Sequence, residues 1–147
     1  MLNFVEIIGK DNVLPHRAGD AGFDIIAGTD PKVVLESKYI EYGTNVRLSP
    51  MEDSVHTFIL PRSSISNTWL SLANSVGLID NAYLGEIKFR FRYLGDLNDI
   101  DYSKIYKKGD KIGQLVFFQE IRPKLIGVTS FPETERGEGG FGSTDNE

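Results

Sequence analysis

The glycine-rich segment near the carboxyl end of the chain carries residue types that bind phosphate. Residues 136–144 read Arg-Gly-Glu-Gly-Gly-Phe-Gly-Ser-Thr. Successive glycine amides can converge on phosphate oxygens, Arg136 adds a forked cation, and Ser143 and Thr144 add hydroxyl donors. Phe141 has no local apolar partner, and an aromatic ring can stack on a base. The same composition also suits an unstructured terminus, so both interpretations stay open.

A second candidate for anion binding is the sequence Pro-Arg-Ser-Ser at residues 61–64. It lies where a predicted strand is followed by a predicted short helix, and the free N–H groups at the start of a helix favour an anion. Arg62 and the hydroxyls of Ser63 and Ser64 would strengthen this preference. The alternative is an ordinary helix cap beside a surface arginine.

Three further polar residues occupy positions that are compatible with binding or catalysis. Asp80 lies in a predicted hairpin tip, three residues before Tyr83. Asp24 follows a glycine-containing stretch, and Gln114 interrupts an apolar strand. Each of them also has a plain interpretation as a turn or edge-strand residue. The two histidines are not spaced as metal ligands, and there is no Ser–His–acid pattern.

The elements that must position these residues are predicted to be short strands. The chain is rich in isoleucine and valine, poor in alanine, and interrupted by glycine and turn residues, which is typical of β structure. The predicted strands lie within residues 4–8, 33–35, 39–48, 56–60, 75–79, 86–93, 111–118 and 125–128.

Residues 75–93 are predicted to form a β-hairpin with Asp80 in its tip. The second arm alternates between apolar and basic residues, so one of its faces should be buried and the other exposed. The alternating residues are Ile87, Phe89 and Phe91 on the first face, and Lys88, Arg90 and Arg92 on the second.

A single helix of one or two turns is predicted over residues 63–72, capped by Ser63 or Ser64. No βαβ pattern or internal repeat is present, so the chain is predicted to be all-β, a barrel or jelly-roll-like sandwich. Residues 1–134 should form this domain. The glycine-rich residues 135–147 are too poor in apolar side chains to build a core and are predicted to be a flexible tail.

Composition and charge narrow the class of protein. The chain has 147 residues, is 40% hydrophobic and has a formal net charge of −5, as expected for one globular domain. With no cysteine, it has neither disulfides nor thiolate metal sites. No basic tract suits coating a nucleic acid, whereas a small phosphorylated ligand needs only a few cations. No secretory signal or membrane span is found, which predicts a cytoplasmic or nuclear location.

Taken together, five segments in this order resemble the five motifs of the trimeric dUTPase family. The likeness runs from about Leu14 to Thr144, nearly the whole chain. The segments are residues 20–25 (Asp-Ala-Gly-Phe-Asp-Ile), 61–64 (Pro-Arg-Ser-Ser), 77–85 (Gly-Leu-Ile-Asp-Asn-Ala-Tyr-Leu-Gly), 109–115 (Gly-Asp-Lys-Ile-Gly-Gln-Leu) and 136–144. The resemblance implies a β-clip barrel, a homotrimer with shared sites, and hydrolysis of dUTP to dUMP and pyrophosphate.

The resemblance also implies roles for residues on the nucleoside side of such a site. Asp80 would activate the attacking water, and Tyr83 would pack on the deoxyribose and leave no room for a 2′-hydroxyl. Asn74 would contact uracil through its side chain, and the backbone at Gly77 and Ile79 would read the rest of the base edge.

For the triphosphate, the resemblance implies a set of polar groups acting with Mg²⁺. Asp24 would reach the magnesium ion through water. Arg136 would meet the γ-phosphate, and Phe141 would stack over uracil. The remaining implied phosphate contacts are Arg62, Ser63, Ser64, Gln114, Gly140, Gly142 and Ser143. Ser64 stands where many family members have glycine.

Two other functions stay open at this point. A dCTP deaminase shares the fold, but that family has its catalytic glutamate at the position of Arg90 and lacks the tail motif. A non-catalytic nucleotide-binding or regulatory protein on the same fold is the second alternative. An assay that separates pyrophosphate from ammonia would discriminate among the three functions.

Overall fold

The structure, a computed structural model, describes residues 4–52 and 54–142. Within these ranges the chain forms ten strands and three short 3-10 helices. The strands are β1 (Ile7–Ile8), β2 (Phe23–Ile26), β3 (Lys32–Val34), β4 (Tyr39–Gly43), β5 (Arg47–Leu48), β6 (Val55–Leu60), β7 (Leu70–Leu72), β8 (Gly77–Ile79), β9 (Lys88–Tyr93) and β10 (Lys111–Gln119). The 3-10 helices are Lys10–Asn12, Ser63–Asn67 and Tyr102–Lys104.

The strands form two four-stranded sheets and one two-stranded sheet. The first large sheet has the order β2-β10-β6-β8, the second has the order β3-β4-β9-β7, and β1 pairs with β5. All of these pairings are antiparallel. The predicted all-β class is therefore confirmed.

One hydrophobic core joins side chains from both large sheets. The predicted alternation along β9 is confirmed, because Phe89 and Phe91 are fully buried while the basic residues that alternate with them are exposed. The ring of Phe89 lies directly against the backbone of Gly113 in β10, where a Cβ atom would overlap it. Glycine at this point therefore lets β9 of one sheet approach β10 of the other.

The predicted hairpin over residues 75–93 is wrong. Its first arm, β8, pairs with β6, whereas its second arm, β9, pairs with β4 and β7. Residues 80–87 therefore carry the chain from one sheet to the other. Alternation identifies the buried face of a strand but does not name its partner, because pairing depends on cross-strand contacts that are distant in sequence.

The predicted helix over residues 63–72 is also wrong in extent and capping. The structure has a 3-10 helix, Ser63–Asn67, without a side-chain cap, followed by strand β7. The hydroxyls of Ser66 and Thr68 donate to backbone carbonyls three residues earlier, a local bond that competes with helix continuation. No helix in the described part of the chain is long and apolar enough to cross a membrane.

The strand predicted near the carboxyl end of the chain is absent from the described residues. Residues 125–128 form no strand, and the chain runs from the end of β10 to Gly142 without regular secondary structure. We call residues 120–134 the arm. Its apolar side chains have no neighbouring strand within the described chain to pair with, and they are exposed: Ile121, Leu125, Ile126, Val128 and Phe131.

The predicted strand over residues 39–48 is divided in two. The structure has β4, Tyr39–Gly43, in the large sheet and β5, Arg47–Leu48, paired with β1. Asn45 between them has a positive φ of 59°, a left-handed conformation that interrupts an extended strand.

Candidate functional site

Three of the five segments meet on adjacent strands of the first large sheet. β10 lies between β2 and β6, and Gln114 pairs with Asp24 on one side and with Leu60 on the other. Arg62 follows Leu60 by two residues. The antiparallel register therefore brings a carboxylate, an amide and a guanidinium to one end of the sheet.

An ion pair joins the first and second of these segments. Arg62 Nε donates to Asp24 Oδ1 at 2.8 Å, and Lys111 Nζ lies 3.6 Å from Asp24 Oδ2. Arg62 also donates to the hydroxyl of Ser64 at 3.2 Å, and the amide of Gln114 donates to the carbonyl of Pro61 at 3.1 Å. The guanidinium has five N–H donors, so it retains donors for a ligand.

These side chains line a cavity of about 500 Å³ that we call the Arg62 pocket. Three basic and two acidic side chains contribute to its wall, so their formal charge is +1 and the pocket favours an anion. The lining residues are Leu14, Pro15, Arg17, Asp20, Ala21, Gly22, Asp24, Arg62, Ser63, Lys111 and Gln114.

Sequence reasoning missed Arg17 and Lys111 as residues of this pocket. Lys111 lies three residues before Gln114, so strict alternation would place the two side chains on opposite faces. A register irregularity between Lys111 and Gly113 removes that alternation and lets both line the pocket. Lys111 could have been selected from the sequence, because it follows Asp110 within the fourth segment. Arg17 lies in a loop, and no sequence pattern pointed to it.

Gly22 has a steric role at the wall of the Arg62 pocket. A Cβ atom there would lie 2.9 Å from Gln114 Oε1 and 3.0 Å from the carbonyl oxygen of Leu115. A side chain at this position would therefore require Gln114 or the backbone of β10 to shift, and glycine lets the chain before β2 approach β10 closely.

Asp80 and Tyr83 lie together in a separate cavity of about 280 Å³, which we call the Asp80 pocket. The carbonyl of Asp80 accepts from the N–H of Tyr83 at 3.0 Å, which closes a turn after β8. The side chain of Asp80 is exposed. The lining residues are Leu78, Ile79, Asp80, Tyr83, Glu86, Ile87, Lys88 and Arg90.

Two contacts fix the Tyr83 side chain. Its hydroxyl donates to the carbonyl of Glu86 at 3.0 Å. Its ring lies against Gly85, where a Cβ atom would overlap the phenol. The glycine at the end of the third segment therefore keeps the ring folded over the turn, with 47% of the residue exposed toward the pocket opening and solvent.

Asn74 lines a groove that continues from the Asp80 pocket. The groove has a volume of about 440 Å³ and shares Lys88 and Arg90 with the Asp80 pocket as lining residues. Gly77 is buried and lies next to Asn74, since a Cβ atom at Gly77 would be 3.3 Å from Asn74 Nδ2. The other lining residues are Ser37, Tyr39, Ala73 and Arg92.

Arg90 in this groove is held in place by neighbours on β4. Its Nε donates to Glu41 at 2.8 Å, and its guanidinium lies 4.6 Å from the ring centroid of Tyr39. Burial alone would raise the pKa of Glu41, but Arg90 and Lys88 outweigh it and hold that pKa below its ordinary value. Arg90 is therefore engaged in a structural ion pair.

The structure divides the predicted site residues between two regions. Of the residues that it describes, none lines both the Arg62 pocket and either of the other two cavities. The first region contains Asp24, Arg62, Ser63 and Gln114, with Ser64 bonded to Arg62. The second contains Asn74, Gly77, Ile79, Asp80 and Tyr83.

The tail residues form a third group. The N–H groups of Gly137 and Gly139 close turns onto Thr134 and Arg136, and Arg136 Nε donates to the carbonyl of Gly139 at 3.0 Å. Phe141 is fully exposed, with a positive φ of 51°. Residues 135–142, which include Gly140 and Gly142, line none of the three cavities. Ser143 lies outside the described residues.

Comparisons with a family model and with individual proteins point to the same family. The dUTPase family model matches residues 10–145. The deoxyuridine 5'-triphosphate nucleotidohydrolase of Clostridium kluyveri is 36% identical over 144 residues, covering 95% of this chain and 95% of that protein.

Solved structures show the same fold. A mutant dUTPase of Staphylococcus bacteriophage 80alpha with dUpNHpp has a TM-score of 0.72 at 23% identity, covering 97% of this chain and 99% of that one. A mutant dUTPase from phage phi11 of S. aureus, described with a structural Mg(II) ion, has a TM-score of 0.66 at 23% identity and covers 89% of this chain and 100% of that one. The sequence match over nearly the whole chain shows that this protein belongs to the dUTPase family.

Proposed function

We propose that this protein hydrolyses dUTP to dUMP and pyrophosphate. The observation that carries the proposal is the junction of Asp24, Arg62 and Gln114 at the cation-rich Arg62 pocket, in a chain of the dUTPase family. The name of its relative from Clostridium kluyveri states the same substrate. A cavity of this volume with a positive wall suits the phosphates of a nucleotide.

In this proposal the Arg62 pocket holds the triphosphate. The N–H groups of Arg62 that Asp24 and Ser64 do not use can bind phosphate oxygens, and the hydroxyl of Ser63 lines the same cavity. Gln114, whose amide donates to the carbonyl of Pro61, lines the same cavity. Arg136 and the amides of Gly140, Gly142 and Ser143 would close over the phosphates from the tail.

Asp80 is the proposed general base. Its exposed carboxylate accepts a proton from water, whose oxygen forms a new bond to the α-phosphorus. The bond from that phosphorus to the bridging oxygen breaks, and pyrophosphate leaves. An in-line attack of this kind needs one positioned base and strong charge stabilisation, so a single carboxylate suffices.

The groove beside Asp80 is the proposed nucleoside site. Tyr83, held by Gly85 and Glu86, would lie against the deoxyribose. Asn74 and the backbone at Gly77 and Ile79 would hydrogen-bond the uracil edge. Phe141, whose ring is exposed, would stack over the base.

The polar side chains of the Arg62 pocket are compatible with a magnesium ion that enters bound to the substrate. Within residues 4–52 and 54–142 there is no group of three side chains that could hold a metal alone. Asp24 offers a carboxylate at the Arg62 pocket, and Mg²⁺ in phosphate sites usually takes one or two carboxylates and keeps several waters. When bound, the ion would neutralise phosphate charge at the reacting centre.

The active assembly is proposed to be a homotrimer in which the two regions of the site come from different chains. Two observations support this: the Arg62 and Asp80 pockets share no described residue, and the apolar residues of the arm are exposed in the single chain. Several large apolar side chains exposed along one short segment are typical of an interaction site. Residues 1–134 would form the assembled body, and residues 135–147 a closing tail.

Light scattering on the purified chain tests this assembly. We expect three times the chain mass of 16.4 kDa. Activity per chain should fall on dilution together with the trimer, because each site needs residues from more than one chain. A monomer that retains full activity would contradict the shared site.

The function itself is tested by incubating the protein with dUTP or dCTP and Mg²⁺ and measuring pyrophosphate and ammonia separately. We expect pyrophosphate from dUTP and no ammonia from dCTP. Ammonia release would support the deaminase instead. Nucleotide binding without either product would indicate the non-catalytic alternative.

Tyr83→Ala should raise the use of UTP relative to dUTP. The ring is expected to exclude the 2′-hydroxyl by direct contact, so its removal reduces discrimination by about ten-fold, the scale for one small group in a pocket. The measurement is the ratio of kcat/KM for the two nucleotides. Tyr102→Ala, at an exposed tyrosine in the 3-10 helix Tyr102–Lys104 that lines none of the three cavities, is the matched control. Equal losses for both substrates would mean that Tyr83 supports folding only.

A further inference from the structure

Tyr106 is a buried tyrosine whose hydroxyl lies beside Ser64 and Arg62. It lies between the 3-10 helix Tyr102–Lys104 and β10, and is 7% exposed. Its ring centroid lies 5.6 Å from that of Phe91 and 6.3 Å from that of Tyr42. Its carbonyl accepts from the hydroxyl of Tyr42 at 2.7 Å. The core therefore fixes both the ring and the backbone of Tyr106.

The hydroxyl of Tyr106 faces the phosphate-binding segment. Its oxygen is buried and lacks a hydrogen bond of good geometry, and the polar groups beside it are the hydroxyl of Ser64 and the guanidinium of Arg62. Burial raises the pKa of Tyr106, and these two neighbours partly oppose that effect. Buried hydroxyls nearly always have a partner, so an incomplete bond at this position needs an explanation.

Ser64 is the group that can complete this bond. Its oxygen accepts from Arg62 at 3.2 Å, which leaves its own proton free to be donated. A tyrosine hydroxyl can accept that proton or donate its own. Movement of Ser64 or Arg62 on ligand binding would bring the two hydroxyls into normal hydrogen-bond geometry.

We propose that Tyr106 is a positioning residue of the Arg62 pocket, whose hydroxyl completes a hydrogen bond with Ser64 when the phosphates of a nucleotide bind. The bond holds Ser64 and, through it, Arg62 in the orientation that contacts phosphate. Because the hydroxyl is incompletely bonded in the empty protein and satisfied in the complex, it favours the bound state. This inference rests on the proposed function of the pocket as a triphosphate site.

Tyr106→Phe removes the hydroxyl and keeps the ring contacts. Affinity for a non-hydrolysable dUTP analogue with Mg²⁺ should fall about five-fold, the scale of one neutral hydrogen bond, and KM for dUTP should rise in parallel. The melting temperature of the empty protein should be unchanged or higher, because an incompletely bonded buried group is removed. Unchanged affinity, or a lower melting temperature as the sole effect, would overturn the proposal.

A double-mutant cycle tests whether Tyr106 acts through Ser64. In a Ser64→Ala background, Tyr106→Phe should cause no further loss of affinity, because the partner is already absent. Independent, additive losses would overturn the coupling. Tyr93→Phe is the matched control: this tyrosine is also buried, and its hydroxyl accepts from the N–H of Asp101 at 3.0 Å. It should lower the melting temperature and leave nucleotide affinity unchanged.

Failure of the proposed function gives a different result from failure of this inference. If the wild-type protein binds inorganic triphosphate but does not hydrolyse dUTP, the proposed function is wrong. The role of Tyr106 can still be tested in that case, by measuring whether Tyr106→Phe lowers the affinity for inorganic triphosphate five-fold. If the wild type hydrolyses dUTP and both proteins bind the analogue equally, the role of Tyr106 is wrong. If the wild type binds no triphosphate, both are wrong.

Discussion

Asp80→Asn should lower the turnover of dUTP by at least about 10²-fold, the scale for a positioned general base. Asparagine matches the size of aspartate but cannot accept the proton of the attacking water at neutral pH. The Asp80 side chain is exposed, so the substitution leaves the core intact. Turnover is measured by pyrophosphate release, and binding by calorimetry with a non-hydrolysable dUTP analogue. We expect binding to be close to that of the wild type.

Asp99→Asn is the matched control for this experiment. It makes the same chemical change at an exposed turn residue that lines none of the three cavities. Turnover in the control should equal that of the wild type. If Asp80→Asn also retained full turnover, Asp80 would have no part in the chemical step.

Truncation after Thr134 should cause the second largest loss of catalytic activity. Stacking of Phe141 on the base is worth about 1–3 kcal/mol, and the charge-assisted contact of Arg136 about 1.5–3 kcal/mol. At about 1.4 kcal/mol per factor of ten, their loss lowers kcat/KM by roughly 10²-fold or more. Residues 135–142 line none of the three cavities and leave the core untouched, so the melting temperature should not change.

A chain that ends at Gly142 is the control for the truncation. It keeps Arg136 and Phe141 and should lose far less activity than the shorter chain. Both truncated proteins are measured for dUTP turnover, assembly and melting temperature. Unaltered turnover in the shorter chain would show that the tail is an ordinary exposed terminus.

The local sequence pattern was sufficient to predict part of the fold. The alternation of apolar and basic residues predicted the buried face of β9 because side chains in a strand alternate whatever the partner is. The pairing of that strand could not be predicted, and the hairpin over residues 75–93 was wrong for this reason. The same limit applies to residues 125–128, whose apolar side chains suit a strand but find no partner in the described chain.

The candidate site was predictable to a similar degree. Asp24, Arg62 and Gln114 were selected from the sequence, and the register of three strands brings them together. Lys111 was missed because the irregularity before Gly113 breaks the two-residue period. Tyr106 was missed because its hydroxyl comes beside Ser64 only through tertiary packing. The segments with candidate site residues could be recognised in the sequence, whereas the residues that support them depend on the three-dimensional arrangement.

The contact between Phe89 and Gly113 has a consequence for protein engineering. Because a Cβ atom at Gly113 would overlap the ring of Phe89, substitutions that enlarge or reshape the core near Phe89 will also shift β10, the strand that carries Gln114. Under the proposed function, stabilising mutations chosen for better packing at this point would therefore also alter nucleotide affinity. Substitutions at the far edge of the other sheet, in β3, offer a route to higher thermostability that is separated from the binding strand by β4 and β9.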